Sequence, residues 1–399
     1  MRILVLSQLF APAIYGGGEV VFSSMCQNLG RRGHSVTVIT QRLHDTRDYE
    51  VSSGVRIFRV GKPIDFCGTL PSNLSTNLSF LFHATTKATR ILSQEKFDII
   101  HSNTYVPALL GQACSSLFRI PHIITVHDVY FTEAEGHFWE SWSKHVQLGP
   151  LGRNAGKIIE QIVIRLRPTL FHAVSHSTRL DMLRAVRSKI PVAVVPNAIN
   201  LEEYPSQVNK KSKSGQAIYI GRLVFYKNLG TLLKAFHDVA ATVKNAQLVI
   251  VGDGPLRPWL LEQINRLGLA NKVRLAGVVK HSDKLELLGD SNFLVQPSLV
   301  EGFGMVILEA FATGRAVLVS RIPALEELVR EGVDGLTFSP FDVDELALKM
   351  RLLFESETLC TEMGRLGRDK VERFYSSQVI ISKIEDLYRD ANFGCRVVR

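Results

Sequence analysis

Short runs of β-branched and other apolar residues alternate along the chain with longer segments whose apolar positions recur at the helical period. In the first half the short runs are Ile3–Leu6, Val36–Thr40, Asp98–His101, Ile123–Val126 and Phe171–Ser175. A polar stretch, Gln207–Gln216, interrupts this rhythm, which restarts with Ala217–Ile220, Leu248–Val251, Val273–Ala276, Phe293–Gln296 and Ala316–Ser320. Strand-length runs separated by helices predict a parallel, doubly wound sheet in each half, so the expected fold class is α/β with two Rossmann-like domains. Pro and Asn punctuate Val195–Asn200 and a Lys/Ser-rich segment follows, which sets the first domain at 1–200 and the second at 201–375. A last helical segment, Ser376–Asn392, is expected to carry residues 376–399 back onto the first domain. Open parallel sheets take ligands beyond the carboxyl ends of their strands, so the two domains are expected to face each other across a cleft.

Composition narrows the class further. A chain of 399 residues with 46% hydrophobic and 21% charged residues has the balance of an ordinary globular protein, long enough for two cores. Cys26, Cys67, Cys114, Cys360 and Cys395 are odd in number and scattered, without a Cys-x-x-Cys pair or a neighbouring His, which fits a reduced, cytoplasmic setting. No apolar run reaches the roughly 18 residues of a membrane span. Met1–Ser7 reads as a buried first strand rather than a signal peptide, because its brief apolar run leads into a Gly-rich turn and a helix. The net charge of +9 is concentrated in the first 200 residues, a feature that serves phosphates, anionic lipid or simple solubility. Zinc-finger spacing and an aromatic-and-basic RNA-binding signature are both missing, so nucleic acid is not an expected partner.

Candidate chemistry sits on the loops that follow the short runs. Tyr15-Gly16-Gly17-Gly18-Glu19 opens the helix Val20–Arg31, where glycines either let the backbone approach an anion or only make a tight turn. It is not the Gly-x-Gly-x-x-Gly fingerprint, and no acidic residue ends the run Val36–Thr40, which disfavours a nicotinamide dehydrogenase. His127 follows Thr125-Val126 at a strand end, as a structural imidazole or as a partner for a sugar hydroxyl. Gly221-Arg222-Leu223-Val224-Phe225-Tyr226-Lys227 places two cations on one loop, either exposed bases or a clamp for a diphosphate. Gly252-Asp253-Gly254-Pro255 is a sharp turn with room for a nucleotide base, or a turn only. In Gln296–Ala310 a strand passes through Glu301-Gly302-Phe303-Gly304 into a helix containing Glu309; the amides near the helix start suit phosphate or sugar oxygens, and each carboxylate suits a vicinal diol.

Taken in order, Gly16–Glu19, Arg32–Val38, His127, Val174-Ser175, Val195-Pro196-Asn197, Gly221–Leu223 with Lys227, Val251–Pro255 and Glu301–Glu309 resemble the retaining glycosyltransferases of family 4, over nearly the whole length. The resemblance implies the GT-B architecture and transfer of a sugar from a nucleotide-sugar donor to a glycan, lipid-linked or small-molecule hydroxyl. It implies that Glu309 binds the donor ribose and Glu301 the transferred sugar. By the same likeness, backbone amides of Phe303, Gly304, Met305 and Val306 meet sugar and phosphate, and Arg222 and Lys227 hold the diphosphate. Gly252 belongs to the donor site, Gly17 and Gly18 border the phosphates and acceptor, and His127 approaches the transferred sugar; the expected catalytic set is His127, Arg222, Lys227 and Glu301. Neither a cofactor nor a metal is expected. Asp342-Val343-Asp344 spells the Asp-x-Asp of metal-dependent transferases but precedes a helix, Glu345–Phe354, where Asp is a good N-cap. The chain departs from the family in Gly314-Arg315-Ala316, where a Pro often follows the motif helix, a change that touches no expected ligand. The alternatives are a GT-B epimerase or phosphorylase and a catalytically silent nucleotide-sugar-binding subunit.

Residues Gly136–Gln147 add one more expectation. Phe138, Trp139, Trp142 and Val146 share one helical arc with Glu140 and Lys144 opposite, which serves either the first domain's core or peripheral contact with a membrane or a lipid-linked acceptor, on its cytoplasmic face.

Overall fold

The computed structural model describes residues 1–12, 17–65, 74–129, 150–185, 190–205 and 215–397. The chain divides into two compact units, one of Met1–Ala198 with Ser377–Arg399 and one of Ile199–Ser376.

The first unit is built on an eight-stranded sheet. Its strands are β1 (Arg2–Leu6), β2 (Ser35–Leu43), β3 (Tyr49–Ser52), β4 (Val55–Ile64), β5 (Ile99–Ser102), β6 (His122–Val126), β7 (Leu170–Ala173) and β8 (Val192–Val194). Their order is β3-β4-β2-β1-β5-β6-β7-β8, parallel throughout except for the antiparallel edge pair β3–β4. A central parallel strand is covered on both faces, so both sets of alternating side chains must be apolar. β1 obeys this. Ile3 and Val5 join Phe22, Met25 and Leu29 of the helix Gly17–Arg31 and Ile380, Ile384 and Tyr388 of the last helix, Ser377–Val397. Leu4 and Leu6 face the other way, into a cluster with Phe80, Ala84 and Ala88 of the helix Leu74–Gln94 and Val106 and Leu110 of the helix Val106–Phe118.

The second unit carries six parallel strands: β9 (Gln216–Ile220), β10 (Gln247–Val251), β11 (Val273–Gly277), β12 (Phe293–Gln296), β13 (Ala316–Ser320) and β14 (Gly335–Phe338). Their order is β11-β10-β9-β12-β13-β14. The core packs Tyr219, Leu248, Phe293 and Leu318 of the sheet against Leu232 and Phe236 of the helix Leu229–Thr242 and Met350 and Phe354 of the helix Val343–Glu355.

Every short apolar run in the sequence falls on a strand. The reading omitted β3, β4, β8 and β14; β4 alternates buried and half-exposed residues along much of its length, and β8 and β14 are too short to show a period. The first helix starts at Gly17 rather than Val20, so Gly17, Gly18 and Glu19 of the Gly-rich turn are the first residues of the helix. The unit boundaries fall at Ala198/Ile199 and Ser376/Ser377. The amphipathic segment Gly136–Gln147 lies outside the described residues, as do Gly16, Cys67 and the Lys/Ser-rich stretch. Among the described residues no helix is long and apolar enough to cross a membrane.

Candidate active site

In the second unit the candidate residues gather where strands end. β9 runs into Gly221 and Arg222, then a single 3-10 turn, Phe225–Lys227, before the next helix begins. The turn after β10 supports this loop from below: Gly221 N–H donates to the Val251 carbonyl at 3.0 Å and Leu223 N–H to the Asp253 carbonyl at 2.9 Å. A Cβ on Gly252 would come within 2.0 Å of the Gly221 carbonyl oxygen, so glycine is needed there to seat the Arg222 loop, whatever the ligand.

Lys227 is nearly buried and its ammonium donates to Glu301 Oε1, which also accepts from Gln296 Nε2 at 3.0 Å and Ser298 Oγ at 2.8 Å. Burial alone would push the Glu301 carboxyl up; the Lys227 charge and these three hydrogen bonds outweigh it and hold the group below its ordinary value, as a carboxylate. The Tyr226 ring lies beside both cations, 5.8 Å from the Arg222 guanidinium carbon and 5.4 Å from the Lys227 ammonium, and Arg222 Nη2 donates to the Tyr226 hydroxyl. Arg222, Lys227 and Glu301 therefore belong to one constellation.

Glu301 stands before the helix Met305–Ala312 and Glu309 within it. Gly304 caps that helix at φ 97°, no side chain caps it, and a Cβ there would meet Leu325 Cδ2 at 2.9 Å; glycine thus leaves the N-terminal amides of Met305 and Val306 uncovered by a cap. Phe303 is buried, 6.2 Å from the Tyr375 ring, so it offers backbone rather than side chain. Glu309 is held by residues that sequence reasoning missed. The Lys284 ammonium donates to both of its oxygens at 2.8 Å, and the Tyr204 hydroxyl donates to Oε1 at 2.9 Å. Nothing in the local sequence marks Lys284, which lies on a separate helix, His281–Asp290. Gln296 and Ser298 were within reach, since both precede Glu301 in the strand-to-helix segment Gln296–Ala310. Asp342 accepts from Glu345 N–H at 2.9 Å and caps its helix. Among the described residues there is no cluster of three or more His, Cys, Asp or Glu arranged to hold a metal ion.

His127, Gly17 and Gly18 lie in the first unit. A Cβ on Gly18 would stand 3.3 Å from His127 Nε2, so the glycine lets the first helix pass against the imidazole. His127 Nε2 is buried and has no hydrogen-bond partner among the described residues. Burial, with His172 nearby, pulls its pKa down to about 4, which leaves a neutral ring at pH 7. Below it Thr125, His127, His172 and Asn197 contribute to the wall of a cavity of about 20 Å³, room for roughly one water. A directed chain of hydrogen bonds runs through the same layer. His172 Nε2 must donate to the Val195 carbonyl, at 2.8 Å, so its Nδ1 accepts from the Thr125 hydroxyl at 2.8 Å. Thr125 in turn accepts from His101 Nε2 at 2.6 Å, and His101 Nδ1 accepts from the Tyr388 hydroxyl at 2.8 Å.

Comparison with known proteins matches this architecture at both ends. Residues 15–203 fit the model of Glycosyltransferase Family 4, and residues 200–370 fit that of Glycosyl transferases group 1. The glycogen synthase of Mycobacterium tuberculosis is 25% identical over 411 aligned residues, covering 99% of this chain and 96% of that protein. Among solved structures, the sucrose-phosphate synthase of Thermosynechococcus elongatus superposes with a TM-score of 0.82 at 20% identity, covering 98% of each chain. HepE of Anabaena, solved in complex with UDP-glucose, gives a TM-score of 0.74 at 18% identity, covering 98% of this chain and 100% of that one. The fold is accordingly that of the GT-B transferases, and the chain belongs to the family 4 glycosyltransferases.

Proposed function

We propose that the protein transfers a sugar from a nucleoside-diphosphate sugar to a hydroxyl acceptor with retention of anomeric configuration and without a metal. The observation that carries this reading is the Arg222–Lys227–Glu301 constellation, in which two cations and a hydrogen-bonded carboxylate meet beside a helix N-terminus. Departure of the diphosphate builds negative charge on its oxygens, and Arg222 and Lys227 stabilise it as it develops. Glu301 and the amides of Phe303 to Val306 orient the sugar, and Glu309 takes the ribose diol. The bond from the anomeric carbon to the diphosphate breaks as the acceptor oxygen bonds on the same face, and the acceptor proton passes to the leaving diphosphate. His127, neutral at pH 7, offers its ring to a sugar hydroxyl. The likeness to a protein solved with UDP-glucose makes a uridine nucleotide the first donor to try; a glycan or a lipid-linked alcohol is the expected acceptor. A cytoplasmic setting suits the buried thiols Cys26, Cys114 and Cys360.

The test is a transfer assay in EDTA with a panel of nucleotide sugars, followed by NMR of the product's anomeric proton. Acceptor-dependent release of nucleotide and a product of unchanged configuration are expected. An inverted product would remove the retaining mechanism, loss of activity in EDTA would remove the metal-free one, and nucleotide release without any acceptor would move the enzyme to another GT-B activity.

A further inference from the structure

Away from these residues, the first unit carries a second concavity of about 510 Å³ between its edge strands and the helix Leu74–Gln94. One wall is the antiparallel pair β3–β4, the other the outward stripe of that helix. Phe58 and Val60 at the groove's floor pack against the core, while several large apolar side chains around it project into solvent. Phe82 is 68% and Leu78 55% exposed, one turn apart on the helix, and Val51 and Tyr49 of β3 are 60% and 48% exposed. Tyr49 and Val51 lie on the same face of their strand, and Tyr49 and Phe82 line the same groove. Lone exposed apolar residues are ordinary, but four large ones on adjoining elements make a patch.

The unpaired charge at this patch is positive, since the acidic side chains Asp48 and Glu50 are held by Arg42 and Arg59. The helix Leu74–Gln94 contains no acidic residue, while Lys87 and Arg90 follow Phe82 on its groove side. The Lys87 ammonium stands 4.1 Å over the Phe58 ring, which is itself 4.8 Å from Tyr49. Neither Lys87 nor Arg90 has an ion-pair partner among the described residues. The one acidic side chain lining the groove, Asp48, is paired with Arg42 at 2.8 Å. Projecting Phe, Leu, Val and Tyr beside uncompensated cations are complementary to a surface that is apolar within and anionic at its rim. A soluble anion would satisfy Lys87 and Arg90 but would leave Leu78, Phe82 and Val51 in water.

We propose that this face, the groove between β3–β4 and the helix Leu74–Gln94, docks on an anionic lipid surface, with Leu78 and Phe82 entering the interface and Lys87 and Arg90 meeting lipid phosphates. The contact is independent of the donor assignment, because no residue proposed to hold the nucleotide takes part in it.

The experiment is flotation of the full chain with vesicles of phosphatidylcholine alone and of phosphatidylcholine containing phosphatidylglycerol, at low and high salt. Nucleotide binding by calorimetry serves as the control for folding. Binding to the anionic vesicles only, weakened by salt, is expected. Lys87→Glu with Arg90→Glu, and separately Leu78→Ser with Phe82→Ser, should each lower the bound fraction by roughly tenfold or more while nucleotide binding is unchanged. Equal binding to both vesicle types, no binding, or variants that bind like the wild type would each overturn the proposal. Failure to float combined with retention on a soluble sulfated polysaccharide would assign the groove to an anionic chain in solution instead.

Discussion

Around their candidate residues the two units bury polarity in different ways, although the first also holds a buried ion, Arg59, against Glu50 at 2.6 Å. The first unit buries neutral imidazoles: His101, His122, His127 and His172 are all pulled well below the ordinary histidine value, chiefly by desolvation. The second buries ions in pairs. Lys227 is joined to Glu301, Lys284 to Glu309, and fully buried Asp334 to Arg330 and Lys370. Burying a charge is tolerable only with a partner and hydrogen bonds, whereas a neutral ring needs only a donor and an acceptor. The division fits the proposed chemistry: a diphosphate needs fixed charge, and sugar hydroxyls need neutral hydrogen-bonding groups in a dry wall.

Acid gives the sharpest contrast. A histidine whose folded pKa lies below its unfolded value near 6.5 is bound by protons first in the unfolded chain, so its contribution is complete above that pH and is lost as pH falls toward the folded value. For His127 and His172 that value is about 4, and for His122 about 3. Glu301 has the opposite sign: its pKa is lowered from an ordinary 4.5, so its contribution persists down to that pH and fails only below it. Between about pH 6.5 and 4.5 the first unit should therefore loosen while the second holds. Hydrogen exchange followed separately on β5–β7 and on β9–β13 measures this; equal loss of protection in both would break the comparison.

Next in size is removal of one ion from a pair. Lys227→Met leaves the Glu301 carboxylate buried against Gln296 and Ser298 alone, and such a loss costs about 3–5 kcal/mol. Adding Glu301→Gln should restore much of the stability, since the site is then neutral, but none of the transfer activity. Denaturation midpoints set beside turnover decide the matter: a double variant no more stable than Lys227→Met would show that the pair is not coupled.

The smallest effects come from one change on each side. Tyr388→Phe strands His101 Nδ1 in the core and should cost about 1–3 kcal/mol of stability, leaving nucleotide affinity untouched. Lys284→Met, which removes the cation that positions the Glu309 carboxylate, should weaken nucleotide binding by about 1.5–3 kcal/mol. Thermal melts and calorimetry should separate the two proteins: both lose stability, Lys284→Met less than Lys227→Met because the Tyr204 hydroxyl still holds Glu309, but only Lys284→Met loses nucleotide affinity. A Tyr388→Phe protein with impaired nucleotide binding, or a Lys284→Met protein whose nucleotide binding is unchanged, would break the comparison.

What could be read from the sequence followed from local rules. Strands buried on both faces print themselves as apolar runs, and a Gly-containing turn between such a run and a helix marks a place where backbone meets a ligand. For that reason the parallel sheets, the Arg222 loop and the segment from Glu301 to Glu309 were legible in the sequence. β3 and β4 were not, because an edge pair with one half-exposed face has a weaker pattern, and with them went the groove beside Phe82.

The partners of the candidate residues belong to tertiary structure alone. Lys227 and Glu301 are 74 residues apart, Lys284 and Glu309 25, and Tyr388 and His101 287. The sequence by itself determined which segments become strands and helices and which loops carry charge, because backbone geometry and side-chain period act over a few neighbours. Whether a given Lys meets a carboxylate or water, and whether a histidine is neutral in a core or charged on a surface, was decided only when parallel crossovers brought distant strand ends side by side. Burial and a low local dielectric then set the cost of every unpaired group.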